Sequence, residues 1–271
     1  MDKSDIALGI RVTIAARQNR MGDHDRSEVP LSVTGHHLKW GNHRVLGKLG
    51  VEENVPTKLL DEATLAAAAA TLAQRDPALK NVLQQWGVPP LWQRPASFST
   101  LVRIVLEQQV SLASAKNTYL RLVVACGGKI TATSIERIPD ETMRTAGLSR
   151  QKTRYVRELS QAVIQRRFSV SSLAKMSDED AAANIRSLVG FGAWSADVYL
   201  MMALLRPDVL PIGDLGLIKG TPEVCGPEVS SIDEIVARAE MWRPWRSVAT
   251  RMVWQAYLVK RGKDVSTIAS G

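Results

Sequence analysis

Hydrophobic and polar positions follow a helical period along most of the chain after residue 55. Residues 61–74 are rich in alanine and leucine, which are strong helix formers. A second helix is predicted to begin after Asp76, with Pro77 at its first position, and to reach about Trp86. The same reasoning predicts helices over 97–126, 139–147, 149–167, 177–188 and 194–206, and two or three more after residue 214.

The third of these helices is predicted to be long and central. Ser97 or Ser99 can cap its first turn, and the glycine pair 127–128 ends it. Strand-like alternation is almost absent after residue 55. The pattern therefore predicts an all-α assembly of helices arranged in two lobes.

The first 55 residues differ from the rest of the chain. They contain all four histidines, scattered glycines and little helical periodicity. Residues 29–40 could form a short strand or hairpin. We predict an irregular or partly ordered extension over residues 1–55 and a helical domain over residues 56–271.

Composition narrows the classes of function. Hydrophobic residues make up 45% of the chain, which is enough for a substantial core, and the net charge is +8. That charge is equally compatible with a polyanionic partner and with simple solubility. No apolar run approaches the roughly 20 residues that span a membrane. The two cysteines, Cys126 and Cys225, are too few for a four-thiolate iron–sulfur or zinc site.

The sharpest local signal is the segment Leu-Val-Gly-Phe-Gly-Ala-Trp-Ser-Ala at residues 188–196. Gly190 and Gly192 permit a tight turn that aims backbone N–H groups outward at the start of the next helix. Such a helix N-terminus can bind a phosphate through its N–H groups and its dipole. For the glycine pair alone, an ordinary helix–helix connection with a glycine C-cap is the simpler interpretation.

A second segment, Leu-Pro-Ile-Gly-Asp-Leu-Gly-Leu, begins eighteen residues after Gly192. With this addition the chain resembles the helix-hairpin-helix/Gly-Pro-Asp DNA glycosylases. The twenty-residue separation of Trp194 and Asp214 resembles the 3-methyladenine glycosylase II branch in particular. Val189 stands where that family carries proline. Further stretches that resemble the branch, in the same order and within residues 76–260, are 106–111, 146–149 with Lys152, 214–217, and 242–247 with Trp254.

The resemblance implies an enzyme that flips an alkylated purine out of double-stranded DNA and hydrolyses its N-glycosidic bond. It assigns Asp214 as the carboxylate that stabilises positive charge on the sugar. Trp194 and Trp254 would stack on the cationic base. Lyase-active relatives carry lysine at the position of Trp194, so no strand-nicking activity is expected.

Each of these residues has a plainer alternative role. Asp214 could cap the following helix, and the tryptophans could simply pack in the core. Asp208 is a competing carboxylate close to the hairpin, and Asp197 is expected on a helix face. Lys219 does not occupy the nucleophile position of the family.

The resemblance also assigns contacts with DNA. Gln109 would enter the gap left by the flipped base, unless Gln108 and Gln109 only satisfy buried backbone groups. The hairpin residues assigned to DNA binding are Gly190, Gly192, Ala193 and Ser195. The backbone carbonyls assigned to a structural Na⁺ or K⁺ are those of Arg186, Leu188 and Phe191, and no cofactor is required.

Arginines concentrate in the helix after Ser149 and over residues 243–251. These helices could contact the DNA backbone, or their charges could form solvated faces. The resemblance implies a monomer that acts on DNA inside the cell, in the bacterial cytoplasm and nucleoid or the eukaryotic nucleus.

Three other functions stay open at this point. The chain could bind DNA lesions without catalysis, but Asp214 and the pocket tryptophans argue against this. It could act on mismatched or oxidised bases. The commonest such enzymes, however, carry a lysine at the position of Trp194 or a four-cysteine cluster, and this chain has neither. A helical scaffold without a role on DNA does not explain the ordered series of motifs. The preferred lesion is left open.

Overall fold

The computed structural model describes residues 59–265, and this part of the chain is helical and has no strand. The extension predicted over 1–55, with its strand at 29–40, lies outside the described residues. The α-helices are α1 Glu62–Arg75, α2 Pro77–Trp86, α3 Phe98–Glu107, α4 Leu112–Ala125, α5 Ala132–Arg137, α6 Asp140–Thr145, α7 Arg150–Ile164, α8 Asp178–Arg186, α9 Ala193–Met202, α10 Leu215–Cys225, α11 Ile232–Glu240 and α12 Arg246–Val259. A 3₁₀ helix covers Val170–Lys175.

Polar residues at the helix starts behave as the sequence predicts. Asp76 caps α2 and accepts a 2.9 Å hydrogen bond from the N–H of Ala78, while Pro77 fills the first helical position. Ser149 caps the basic helix α7, and Ser177 caps α8. These side chains satisfy N–H groups that have no partner inside the helix.

The prediction of one long helix over 97–126 is wrong. The chain breaks at residues 108–111, between α3 and α4, because Gln109 adopts a left-handed φ of 57° that no helix can continue. Ser111 then caps α4 by accepting a hydrogen bond from the N–H of Ser114. The break contains neither glycine nor proline, so Ser111 is its one signal in the sequence.

Other helix boundaries differ in smaller ways. Helix α5 was not predicted, although Thr131 and Ser134 form a capping box at its start. Helix α9 ends at Met202 rather than at Arg206, and Leu205 then adopts a left-handed φ of 55°. Apolar spacing continues past the true end of α9, so periodicity alone places that end too late.

Buried side chains form two hydrophobic clusters, in agreement with the two predicted lobes. The first is built mainly from α3–α9 and includes Leu101, Val156 and Tyr199. The second is built mainly from α1, α2 and α10–α12 and includes Leu72 and Trp242. Trp254 of α12 belongs to the first cluster, so α12 contributes to both.

Arg251 ties α12 to the rest of the fold. Its side chain is fully buried and donates hydrogen bonds to the carbonyls of Leu91, Met201 and Ser247, at 3.0, 2.6 and 2.9 Å. The prediction that the arginines of 243–251 could contact DNA therefore does not hold for Arg251. An arginine with its guanidinium inside the core cannot reach a phosphate on the surface.

Candidate active site and DNA-binding face

The hairpin between α8 and α9 is built as its two glycines predict. Gly190 has a φ of 88°, and a Cβ at this position would lie 2.2 Å from a ring carbon of Tyr155 on α7. Gly192 caps α9 and is exposed, and no side chain caps the helix in its place. The first N–H groups of α9, including that of the exposed Ala193, therefore keep the capacity to bind an anion.

Gln108 joins this hairpin to the turn between α3 and α4. Its Nε2 donates to the carbonyl of Gly190 at 2.9 Å and to Oγ of Ser195 at 3.2 Å. Gln108 thus takes the role of satisfying buried groups. Ser195 is buried, and its hydroxyl group faces this contact rather than the surface where DNA would bind. Gln109, by contrast, is exposed.

Asp214 lies at the start of α10 and is 1% exposed. Its Oδ1 accepts hydrogen bonds from the N–H of Leu217 at 2.9 Å and from Nε1 of Trp254 at 2.8 Å. Its Oδ2 accepts a third from Nε1 of Trp194 at 3.0 Å. Asp214 therefore caps α10 and also joins the two tryptophans that the resemblance singled out.

The charge of Asp214 is held by neutral donors alone. Burial raises the pKa of its carboxyl group above the usual value, while hydrogen bonds from Trp194, Leu217, Trp254 and Gly216 lower the pKa. No arginine or lysine among the described residues pairs with it. A desolvated carboxylate without a counter-charge is suited to stabilising a cation that forms beside it.

An apolar cavity of about 60 Å³ lies against Asp214. Trp194, Trp254 and Trp92 form part of its wall, and the ring centroids of Trp92 and Trp254 are 6.1 Å apart. The remaining lining residues are Arg94, Glu107, Leu112, Val198, Met202, Tyr257 and Leu258. We refer to this cavity as the indole pocket.

Sequence reasoning missed two features of the indole pocket. Trp92 was not singled out, because it precedes the first helix of the matching motifs. Arg94 and Glu107 form a buried pair with two 2.8 Å hydrogen bonds, thirteen residues apart. Arg94 lies outside the stretches that resemble the family, and Glu107 lies in one of them without an assigned role, so only the fold reveals the pair.

A second, polar cavity of about 210 Å³ lies beside the indole pocket, and Trp194 lines both. It lies between the α3–α4 turn, the first turns of α7 and the hairpin. Its lining residues are Gln108, Gln109, Gln151, Lys152, Tyr155, Gly190, Trp194 and Gly213. We refer to this cavity as the polar cleft.

The competing carboxylates have other environments. Asp208 is paired with Arg246 at 2.8 Å and with Arg243 at 3.0 Å. Asp197 lies on α9, and burial raises its pKa to about 7, although Arg186 and Arg246 lower it. Neither lines the indole pocket or the polar cleft.

The carbonyls predicted to hold a monovalent cation lie at the end of α8 and in the hairpin. Arg186 is the last residue of α8, and the carbonyl of Leu188 accepts a 3.1 Å hydrogen bond from the N–H of Phe191. A carbonyl oxygen has a second lone pair, so this bond leaves room for a cation. Among the described residues, no group of three or more His, Cys, Asp or Glu side chains is placed to hold a metal. Nor is any described helix long and apolar enough to cross a membrane.

Comparison with known proteins identifies the class. Residues 102–247 match the family model of the HhH-GPD superfamily of base excision DNA repair proteins, and the chain belongs to this family. The matched region contains the hairpin, Asp214 and the α3–α4 turn.

Individual relatives have related names. The chain is 27% identical over 202 residues to a DNA-3-methyladenine glycosylase of Bacillus subtilis, which covers 68% of this chain and 65% of that protein. The crystal structure of a DNA-3-methyladenine glycosidase from Bacillus halodurans has a TM-score of 0.63 and 27% identity, and the match covers 73% of this chain and 92% of that one. A 3-methyladenine DNA glycosylase of Schizosaccharomyces pombe in complex with abasic DNA shares the fold, with a TM-score of 0.61 and 22% identity over 69% of this chain and 95% of that chain. The chain spans just under two thirds of the length of the Bacillus subtilis relative.

Proposed function

We propose that the chain is a monofunctional DNA glycosylase that removes alkylated purines, such as 3-methyladenine and 7-methylguanine, from double-stranded DNA. The observation that carries the proposal is Asp214, a buried carboxylate held by two indole N–H groups on the wall of an apolar pocket. The Bacillus relatives named for 3-methyladenine support the class of lesion.

The chemistry follows from the pocket. A base inside a duplex is out of reach and must be flipped into a cavity. Alkylation at a ring nitrogen gives the base a positive charge, and the faces of Trp194 and Trp254 attract a cation by about 0.5–2 kcal/mol. Because the leaving base is already cationic, its departure needs no general acid.

Asp214 acts on the other half of the molecule. As the glycosidic bond breaks, positive charge develops on the deoxyribose, and a desolvated carboxylate stabilises it more strongly than water does. The same carboxylate can orient the water that adds to the sugar. No lysine among the described residues lines the indole pocket, so hydrolysis without strand cleavage is the expected outcome.

The remaining assignments complete the proposal. Gln109 fills the space left by the flipped base, and the hairpin binds a phosphate through the N–H groups of 192–195. The carbonyls of Arg186, Leu188 and Phe191 would hold Na⁺ or K⁺, which would bridge hairpin and phosphate. The protein would act as a monomer, wherever the cell keeps its DNA.

The test compares the chain with two matched variants on duplex DNA methylated with a simple alkylating agent. Released bases are identified by chromatography, and strand breaks are scored before and after hot alkali. We expect the unmodified chain and Asp208→Asn to release methylated purines, because Asp208 is paired with arginines away from the pocket. Asp214→Asn should be slower by about 10²–10³-fold while still binding DNA.

Other outcomes would lead elsewhere. Lesion binding without any base release would favour a noncatalytic DNA-binding protein. Strand breaks before alkali would mean that an amine attacks the sugar, contrary to the inference from Trp194. An equal loss of base release in Asp214→Asn and Asp208→Asn would mean that Asp214 has no specific catalytic role.

A further inference from the structure

The polar cleft contains a cation that the proposed mechanism does not use. Of the described residues that line the cleft, Lys152 alone is charged. Its Nζ donates a 2.7 Å hydrogen bond to the backbone carbonyl of Leu106, near the end of α3. An ammonium group carries three N–H donors, so this contact leaves further donors for a ligand.

Glu107, the carboxylate whose charge raises the pKa of Lys152, is already paired with two arginines. Glu107 accepts two 2.8 Å hydrogen bonds from Arg94 and one of 3.1 Å from Arg103. No carboxylate of the described residues forms an ion pair with Lys152. The cleft therefore presents a positive charge that the protein itself does not neutralise.

Partial burial makes this charge costly without an anion. Desolvation lowers the pKa of Lys152 to about 8, although the charge of Glu107 raises it. Gln151 and Tyr155, which also line the cleft, are neutral and bonded to each other at 2.5 Å. A bound anion would regain much of the solvation that the ammonium loses.

The location of the cleft indicates which anion. Trp194 separates the cleft from the indole pocket, Gly190 of the hairpin lines one side, and Gln109 lines another. Because Trp194 lines both cavities, the sugar–phosphate backbone of a strand whose base occupies the indole pocket can reach the cleft across Trp194. The cleft is where that backbone would continue.

We propose that Lys152 binds a backbone phosphodiester next to the flipped nucleotide, in the polar cleft and apart from the phosphate held by the hairpin. This inference rests on the proposed function for the path of the strand. The first turn of α7, which carries Lys152, adds the positive end of its helix dipole. Lys152 also fixes the α3–α4 turn through Leu106, so one side chain would position both the backbone and Gln109.

The salt dependence of DNA binding tests the proposal without any need for catalysis. Fluorescence anisotropy would give the affinity for an undamaged duplex and for one with a stable abasic analogue, between 50 and 200 mM salt. Each phosphate contact contributes about 0.9 to the slope of log K against log salt. Lys152→Met should lose one contact. Its loss of DNA affinity relative to the unmodified chain should therefore be about three- to four-fold smaller at 200 mM salt than at 50 mM. Lys152→Arg should keep the full slope.

Lys175→Met is the matched control for loss of one positive charge. Lys175 is exposed at the end of the 3₁₀ helix. The carbonyls of the adjacent residues Ala174 and Met176 accept hydrogen bonds from Arg206. Arg206 follows the C-terminal end of α9, whereas the hairpin lies at the N-terminal end of that helix. The slope of log K against log salt for Lys175→Met should match that of the unmodified chain. Thermal unfolding of all variants confirms that each is folded at the temperature of the assay.

Three results would overturn the proposal. An unchanged slope in Lys152→Met would reduce Lys152 to a structural contact with α3. An equal change of slope in Lys175→Met would mean that the slope responds to the net charge of the protein and not to a contact at Lys152. A borohydride-trapped adduct with abasic DNA that disappears in Lys152→Met would place the amine at the sugar instead. If the slopes behave as expected but no base is released, the phosphate site stands and the proposed function fails.

Discussion

The indole of Trp194 donates a 3.0 Å hydrogen bond to Oδ2 of Asp214, across twenty residues of sequence. The residue that stands where lyase-active relatives carry lysine therefore contacts the proposed catalytic carboxylate. Trp254 makes the matching contact to Oδ1, at 2.8 Å. Both oxygens of Asp214 are thus oriented by neutral donors, which leaves its negative charge uncancelled and directed at the pocket.

The pH dependence of base release should have an acid limb set by Asp214. Burial raises its pKa above 3.8, and the carboxylate is the active form. Activity should therefore fall as the pH drops through a value above that of an ordinary aspartate. Single-turnover rates at saturating protein, from pH 4 to pH 8, measure this limb after subtraction of release without protein. Release that stays constant down to pH 4 would contradict the role of burial.

Trp254→Phe should move that acid limb to higher pH. The ring remains available for stacking, but Asp214 loses a donor that lowers its pKa. A hydrogen bond to a charged group is worth about 1.5–3 kcal/mol, so release should slow most on the acid side of the profile, where loss of the donor favours the protonated, inactive carboxyl group. Trp92→Phe is the matched control, because Trp92 lines the same pocket but its Nε1 donates to the carbonyl of Val265. Equal effects in the two variants would mean that only packing was disturbed.

The two hairpin glycines should respond differently to alanine. Gly190→Ala places a Cβ 2.2 Å from the Tyr155 ring at a φ of 88°, and should lower the free energy of unfolding by about 2–4 kcal/mol. Gly192 has open space around it and an ordinary φ of −97°, so Gly192→Ala should change stability by less than about 1 kcal/mol. Urea unfolding measures both.

DNA affinity then separates the roles of these glycines. A methyl group on the exposed Gly192 would lie where the hairpin is proposed to meet a phosphate. Gly192→Ala should therefore weaken DNA binding while the fold stays intact. Undiminished affinity in this variant would argue against a phosphate at the start of α9.

Arg251→Met should affect stability and leave the salt dependence of DNA binding unchanged. Two of its partners, the carbonyls of Leu91 and Met201, would lose a buried donor, at a cost of about 2–4 kcal/mol in total. Since Arg251 is fully buried, no phosphate contact is lost. A smaller salt slope in this variant would show that the arginine reaches DNA after all.

Much of the site could be predicted because its parts lie in short motifs. Gly190, Gly192, Trp194 and Asp214 occur within 25 residues, and their order alone indicates the class of protein. The hydrogen bonds that join Asp214 to both indoles could not be predicted. The bond from Trp254 depends on α12 returning to the start of α10, a long-range feature that no local pattern encodes.

The failures share a physical cause. Gln109 adopts a left-handed conformation that is uncommon for a residue other than glycine, so no propensity indicates the break between α3 and α4. The sequence places Arg251 in a charged stretch, and arginine is usually exposed, yet backbone carbonyls satisfy it inside the core. In both cases the tertiary structure overrides a local preference.

Three of the six tryptophans that the structure describes surround the indole pocket. Stacking of an electron-poor base on an indole quenches its fluorescence, so arrival of a base would change the emission of the protein itself. Rapid mixing of this chain with lesion-containing DNA should then show the base entering before it is released. The intrinsic fluorescence of the pocket tryptophans would therefore measure the rate of base entry separately from the rate of hydrolysis, without any added label.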